Sequence, residues 1–121
     1  MTTFSRGDIV LVPFPHTERP QETKKRPALV VSTDAYHRAC RDVIIAQITS
    51  RISAVPRPGD HTIGRWRKGG LLAPSLVRAR LATLRRDLVV RKLGALDDHD
   101  VGDLDKALSL ALGLTQEQRY V

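Results

Sequence analysis

The chain has 121 residues and a formal net charge of +7, which favours a single domain with an anionic partner. Residues 1–92 carry 18 lysines and arginines against 7 acidic residues, whereas residues 93–121 carry 2 against 6. The single cysteine, Cys40, excludes an internal disulfide and a cysteine-based metal site. The sequence has neither an apolar N-terminal leader nor an apolar run of membrane-spanning length. We therefore expect a cytoplasmic protein with a basic body, an acidic C-terminal part that packs on it, and no membrane partner.

Three apolar runs near the N-terminus predict strands. Residues 8–13 and 27–32 are almost continuously apolar, a pattern typical of strands buried on both faces. Residues 43–49 form the third run. A polar loop over residues 14–25 separates the first two strands, and residues 33–41 are expected to hold a short helical turn. Three strands so close together predict a small barrel.

The second half of the chain carries weaker strand patterns and one clear helix. Short strands are predicted over residues 60–63, 75–83 and 88–92, with a turn at Gly69-Gly70. Asp97 or Asp98 can cap a C-terminal helix. Gly113 lies where a helix C-terminal cap belongs. Apolar residues recur at helical spacing between these caps, at Val101, Leu104, Leu108 and Leu112. This apolar face is predicted to pack on the barrel.

Polar residues at two strand ends suggest a phosphate site. Arg26 lies at the start of the second strand, and Thr49 and Ser50 end the third. A guanidinium binds phosphate through two parallel hydrogen bonds and stays charged. Pro27 restricts the backbone of Arg26 to extended geometry, which helps to aim its side chain. From the residues alone, an alternative to the phosphate site stays open: Arg26 is a solvated charge at the strand start, and Thr49 only forms a hydrogen bond at the strand end.

The order of these segments resembles the MazF/PemK family of toxins from bacterial toxin–antitoxin pairs. The resemblance extends from about Phe4 to Leu114. It is carried upstream by the runs Arg6–Pro15, Lys24–Ser32 and Val43–Ser50. Downstream it is carried by Gly59-Asp60, Trp66, Gly70-Leu71, Pro74–Arg78, Ala82–Leu84 and Leu93–Leu96. The ordered series, rather than any single piece, identifies the family.

The resemblance implies both a fold and an activity. The fold is mainly β, a small, strongly bent SH3-like barrel of the MazF/PemK/CcdB type with a C-terminal helix, spanning residues 1–121 as one domain. The activity is that of a sequence-specific, metal-independent endoribonuclease that cleaves single-stranded mRNA and leaves 2′,3′-cyclic phosphate and 5′-hydroxyl ends. No cofactor is implied. The implied partners are a second copy of the chain in a homodimer, a cognate antitoxin that neutralises the toxin and, together with that antitoxin, DNA.

The resemblance also assigns catalytic residues. The family arginine before a proline corresponds to Arg26, and the family threonine or serine at a strand end corresponds to Thr49, with Ser50 beside it. Arg78 matches an arginine in a later strand. Some relatives have an acid near that arginine, whereas the residue two positions on is here Arg80, so the general base stays open.

Further basic residues are candidates for contacts to RNA phosphates. These are Lys24, Lys25, Arg80, Arg65, Arg67 and Lys68. His16, in the first loop, is a further candidate for contact with the substrate. The other histidines, His37, His61 and His99, are expected at the surface. None has a partner at metal-ligand spacing, so no metal site is predicted. Trp66 has two readings, a base-stacking residue and a core or dimer-interface residue.

Two other functions are compatible with the same fold. One is a gyrase-targeting toxin, which needs no RNA-cleaving residues. The other is a non-catalytic barrel that binds nucleic acid, which the arginine at position 80 leaves open. The predicted pairing of Arg26 with Thr49 favours the endoribonuclease.

Overall fold

The structure is a computed structural model that describes residues 3–15, 23–52 and 55–114. A short 3-10 helix, Arg86–Leu88, lies between its last two strands. The strands are β1 (Asp8–Pro15), β2 (Thr23–Val30), β3 (Asp42–Thr49), β4 (His61–Thr62), β5 (Leu76–Arg85) and β6 (Arg91–Ala95). The α-helices are α1 (Asp34–Ala39) and α2 (Asp98–Leu112).

The described strands form one curled, half-barrel sheet in the order β4-β5-β3-β2-β1-β6. All of its pairs are antiparallel. The pairing of β3 with β5 shifts register after Ala46, and the pairing of β1 with β6 shifts after Ile9. Such irregularities increase the local bend of a sheet. The mainly β fold with a C-terminal helix is as predicted.

Both faces of the sheet are buried, as the continuous apolar runs predicted. Neighbouring residues such as Ile9 and Val10 belong to different clusters because successive side chains of a strand face opposite ways. One cluster includes the residues that α2 contributes and consists of Ile9, Leu29, Ala46, Ile48, Ile63, Leu71, Val77, Leu96, Leu104 and Leu108. The other consists of Phe4, Val10, Val12, Phe14, Ala28, Val30, Val43 and Ile45.

The predicted caps and buried face of α2 are confirmed, with one exception. The Asp97 side chain accepts a hydrogen bond from the backbone N–H of His99 at 3.0 Å. Gly113 ends the helix with a φ of 71°, in the left-handed region that glycine adopts without strain. Leu104 is 2% exposed in the core, whereas Leu112, also predicted to pack on the barrel, is 53% exposed.

Several predicted strand boundaries were wrong: β1, predicted over residues 8–13, runs to Pro15, and the starts of β2 and of the last strand differ most. β2 begins at Thr23 rather than at residue 27, because Lys24 and Lys25 pair with the end of β1 although they carry no apolar pattern. The last strand begins at Arg91 rather than at residue 88. There the 3-10 helix turns the chain first, and the N–H of Val90 bonds to the carbonyl of Leu11 at 2.8 Å.

The expectation that His37 and His61 lie at the surface was also wrong. His37 is buried, with Nε2 2.6 Å from Ser32 Oγ. Nε2 of His61 lies 2.9 Å from Oδ1 of Asp100, so this pair connects β4 to α2. Both histidines find a polar partner within the fold, and burial of such groups is tolerated when they are hydrogen-bonded. His99 is exposed, as predicted.

The backbone of the turn at Gly69-Gly70 touches the backbone of β6 at Leu93 and Gly94. A Cβ at Gly94 would meet the backbone of Gly69, and a Cβ at Gly70 would meet the carbonyl of Leu93. Gly70 also has a φ of 82°. Only glycine permits this approach. The contact holds residues 69–73 against β6.

Candidate active site

A cleft of about 440 Å³ opens where the pairing of β2 with β3 stops, and we call it the Arg26 cleft. β6 and residues 70–75 complete its lining. Its polar and charged lining residues are Lys25, Arg26, Thr49, Ser50, Arg51, Ser75 and Arg91. Its apolar lining includes Leu11, Pro27, Ile48, Leu71, Leu72 and Leu93. Three of the four predicted catalytic residues therefore come together.

Strand register explains why Arg26 and Thr49 meet. The last paired residues of β2 and β3 are Ala28 and Gln47. Two positions further along each strand, the same register brings Arg26 opposite Thr49. Residues directly opposite in an antiparallel pair lie on the same face of the sheet. The two side chains therefore share one face at the point where pairing stops and the cleft opens.

Arg26 supplies unneutralised positive charge to the cleft. It is half-buried, and no carboxylate among the described residues lies within ion-pair distance of it. Lys25, Arg51 and Arg91 add further cations around it. A partly buried guanidinium without an internal partner is suited to bind an external anion such as phosphate.

Thr49 presents its hydroxyl as a donor. Its Oγ1 accepts a hydrogen bond from the backbone N–H of Arg51 at 3.1 Å. With one lone pair engaged in this way, the hydroxyl hydrogen is available to an anionic oxygen in the cleft. Ser50 is exposed beside it, whereas the hydroxyl of the buried Ser75 donates to the carbonyl of Ala73 at 2.9 Å.

Arg78, the fourth predicted catalytic residue, does not line the Arg26 cleft. Its Nε lies 3.2 Å from Oδ1 of Asp60, and the two side chains are 17% and 5% exposed. Burial alone would raise the pKa of Asp60, but the backbone N–H of Arg57 and the guanidinium of Arg78 outweigh burial and lower that pKa. The acid beside Arg78 thus comes from a loop 18 residues upstream rather than from β5.

The remaining predicted RNA-binding residues are dispersed. Lys24 lies opposite Phe14 and does not line the cleft, unlike its neighbour Lys25. The guanidinium of Arg80 lies over the Phe14 ring, 5.2 Å from its centroid. His16 is outside the described residues.

Arg65, Arg67 and Lys68 form a separate basic loop around Trp66. Arg65 and Lys68 lie 3.6 and 3.8 Å from Asp97. The backbone N–H of His99 lowers the pKa of Asp97 most, and these two cations lower it further. Arg67 lies over the Trp66 ring at 4.8 Å, and Trp66 itself packs on the core. The core alternative for Trp66 is therefore confirmed.

Comparison with known proteins assigns the chain to a family. A profile of PemK-like, MazF-like toxins of type II toxin–antitoxin systems matches residues 5–112. The chain belongs to this family. It is 26% identical over 109 residues to an endoribonuclease, EndoA, of Bacillus subtilis, covering 90% of this chain and 94% of the relative. It is 24% identical over 109 residues to an endoribonuclease, MazF, of Staphylococcus saprophyticus, and this match covers 90% of this chain and 91% of the relative.

Solved structures of MazF-like toxins have the same fold. A mycobacterial endoribonuclease in complex with its cognate antitoxin superposes with a TM-score of 0.74 at 22% identity, over 93% of this chain and 98% of that chain. A MazE–MazF complex of Deinococcus radiodurans superposes with a TM-score of 0.73 at 20% identity, over 94% and 100%. The curled half-barrel with a C-terminal helix is thus the fold of MazF toxins.

Sequence reasoning did not select three residues that line the Arg26 cleft of this MazF-like toxin. Arg51 and Arg91 are exposed arginines whose sequence neighbours carry no distinctive pattern, and Leu72 follows a glycine turn. Leu72 is 99% exposed, which is unusual for a leucine at the rim of a cleft. No group of three potential metal ligands occurs among the described residues, and no helix in that part of the chain is long and apolar enough to cross a membrane.

Proposed function

We propose that this MazF-like toxin is an endoribonuclease that cleaves single-stranded mRNA at specific sequences. The observation that carries the proposal is that Arg26 and Thr49 line one cationic cleft, at the point where the pairing of β2 with β3 stops. Its relatives in Bacillus subtilis and Staphylococcus saprophyticus are named endoribonucleases, which supports the same activity here.

In the proposed reaction the ribose 2′-oxygen attacks the adjacent phosphorus. The bond to the 5′-oxygen breaks, so the products carry a 2′,3′-cyclic phosphate and a 5′-hydroxyl. Arg26 neutralises the charge that develops on the phosphorane oxygens, and the Thr49 hydroxyl donates to one of them. The attacking 2′-oxygen gives up its proton and the leaving 5′-oxygen takes one up; the described lining residues include neither a histidine nor a carboxylate for these transfers, so the general base stays open.

Protein cations supply the electrostatic stabilisation in this reaction, so we propose that it proceeds without a metal or cofactor. Lys25, Arg51 and Arg91 surround Arg26 and supplement its charge. The preorganised guanidinium takes the place that a divalent cation holds in other phosphoryl-transfer sites.

The proposed partners are a cognate antitoxin and a second copy of the chain, with the cytoplasm as the site of action. The mycobacterial and Deinococcus toxins of this fold were solved as complexes with their antitoxins. An acidic antitoxin segment would compete with RNA for the cations of the Arg26 cleft. The exposed Leu72 and Ile52 near that cleft favour a protein surface in contact with it, as in a homodimer.

The test is cleavage of a mixed single-stranded RNA by the purified toxin with EDTA present. We expect 5′-hydroxyl products from the parent. Arg26→Ala should reduce the rate about 10²–10³-fold, the usual effect of removing one group that stabilises transition-state charge. Arg38→Ala, an exposed arginine on α1, is the matched control and should cut at the parental rate.

Three results would contradict the proposal. If Arg26→Ala cleaves like the parent, the Arg26 cleft is not the active site. If the parent binds RNA without cutting it, the non-catalytic barrel is correct, a function favoured by the missing base in the described lining. DNA damage on expression, without RNA cleavage, would instead support a gyrase target.

A further inference from the structure

A second basic cleft lies at the turn between β5 and β6, outside the predicted catalytic residues. Its volume is about 530 Å³. Five cationic side chains line it, and we call them the cationic cluster: Arg41, Arg85, Arg86, Arg91 and Lys92. They come from the residue before β3, the end of β5, the 3-10 helix and the start of β6. Asp87 is the only acidic residue in its described lining.

The protein neutralises only part of this charge. Asp87 pairs with Arg85 at 3.0 Å, on an exposed surface where such pairs contribute little. Lys92 lies 3.2 Å from the largely buried Asp8. For Arg41, Arg86 and Arg91, no carboxylate in the described part of the chain lies within ion-pair distance.

Backbone hydrogen bonds hold these like charges together. The N–H of Arg86 bonds to the carbonyl of Arg41 at 2.7 Å. Arg85 pairs with Asp42 at the end of the β3–β5 ladder, and Arg91 pairs with Leu11 across β1 and β6. The strand framework therefore imposes a repulsion that an anionic ligand would relieve.

Arg91 lines both this second cleft and the Arg26 cleft, so the two clefts adjoin at this residue. We infer that the cationic cluster binds phosphates of the same RNA strand beyond the cleavage site. This inference rests on the proposed function. An RNA backbone carries a phosphate at every nucleotide, so a strand that leaves the cleft past Arg91 meets the cluster next.

The composition of the cluster favours RNA phosphate over an acidic protein segment. Four of the five cations are arginines, whose planar fork matches phosphate and carboxylate oxygens alike, so the apolar lining has to decide between the two. The apolar lining is limited to the buried Phe4 with Val89 and Val90. A protein segment that docks in a groove is normally anchored in pockets between several apolar side chains, and this cleft offers only the two valines besides the buried Phe4.

The experiment compares two lengths of RNA that cannot be cleaved because every 2′-oxygen is methylated. Mixed-sequence strands of about 4 and about 12 nucleotides span the range that one compact single-strand-binding fold covers. The variants are the double change Arg41→Gln with Arg86→Gln and, because Arg86 is half-buried, the exposed single change Arg41→Gln. Arg38→Gln is the matched control, since Arg38 is exposed and lines neither cleft. Thermal melting checks that each variant is folded.

We expect the double variant to lose about tenfold in affinity for the long strand, as for one or two charge-assisted contacts. The loss should be concentrated on the long strand, so the ratio of the two dissociation constants changes. The slope of log affinity against log salt for the long strand should also fall by about 0.7 for each lost phosphate contact. Arg41→Gln should show a smaller loss of affinity for the long strand and a smaller fall in the salt slope. Arg38→Gln should show neither change.

Three results would overturn the inference, and they are distinguishable. If the parent binds both strands and the folded variants bind the long strand equally well, the cluster does not contact RNA, and the proposed function stands. If the variants lose affinity only for a polyglutamate peptide, the cluster binds an acidic protein segment instead. If the parent binds neither strand, the proposed function fails and the inference fails with it.

Discussion

Arg26 and Thr49 lie opposite each other in register, two residues beyond the last paired positions of β2 and β3. Arg26 pairs with Val12 of β1 and Thr49 pairs with Leu76 of β5, whereas β2 and β3 do not pair with each other at these two positions. The outer ladders therefore hold both backbones, while β2 and β3 separate at the Arg26 cleft. Single substitutions can therefore measure what each hydroxyl and each charge contributes to the reaction.

Thr49 should contribute to catalysis through its hydroxyl rather than its methyl group. Thr49→Ala removes the donor and should slow RNA cleavage about 10²-fold, near the lower end for loss of one transition-state hydrogen bond. Thr49→Ser keeps the oxygen and should retain most of the rate. Initial rates on one RNA, at equal folded protein, measure both. Equal rates for the two variants would show that the hydroxyl is not used.

Lys25 and Lys24 form a matched pair for testing where RNA lies. Lys25 lines the Arg26 cleft and Lys24 does not, although both are exposed neighbours on β2. Lys25→Ala should lower the slope of log affinity against log salt by about 0.7, the value for one released phosphate contact with a single strand. Lys24→Ala should change it less. A larger change in slope for Lys24→Ala would indicate that the RNA binds on the other face of β2.

Leu104 and Leu112 lie on the same helix but differ in burial, which makes them a test of how α2 packs. Leu104→Asp inserts a carboxylate among apolar side chains and should destabilise the protein by about 3 kcal/mol or more. Leu112→Asp adds the same charge on the 53%-exposed position and should change stability little. Chemical denaturation gives both values. Similar melting of both variants and the parent would refute this packing.

The Asp60–Arg78 pair should make stability depend on pH at the acid end. The pKa of Asp60 is lowered in the folded state, so its contribution is present above the ordinary aspartate pKa of about 4 and is lost as the pH falls through the folded value. Asp60→Asn should lower the free energy of unfolding by about 1.5–3 kcal/mol at neutral pH, the range for hydrogen bonds to charged groups.

The parent and Asp60→Asn should then approach each other in stability below about pH 4. Denaturation over a series of pH values measures this convergence. Asp103→Asn, on the exposed side of α2, is the control and should show neither effect. A constant difference between parent and Asp60→Asn at every pH would mean that the ionised carboxylate is not what stabilises Arg78.

The strands that the sequence predicted best are those buried on both faces. β1 and β3 could be located because a continuous apolar run of this length is typical of a strand buried on both faces. The first residues of β2 could not, since Lys24 and Lys25 are exposed and carry no apolar side chain to mark the strand, although they pair with β1 as far as the buried Phe14. The assignment of Arg26 and Thr49 to one site came from the family resemblance, and the strand register supplies its physical reason.

Contacts between distant segments were beyond sequence reasoning. The partner of Arg78 was sought two residues away on the same strand, whereas Asp60 reaches it from a loop. His61 was expected in solvent because its partner, Asp100, is 39 residues away. A polar residue gives no local signal of a partner that only the fold brings near it. The basic loop around Trp66 was likewise grouped with the RNA site by charge alone.

The backbone contact between Gly94 and Gly69 makes the shape of the Arg26 cleft depend on a position that does not line it. Residues 71–73, which do line it, directly follow the pair Gly69-Gly70 that leans on β6. A single methyl group at position 94 would push this segment outward without removing any charge or hydroxyl from the cleft. Such a change acts on the cleft through its backbone support alone. Attenuated toxins could therefore arise by mutation at sites that an inspection of the active-site residues would pass over.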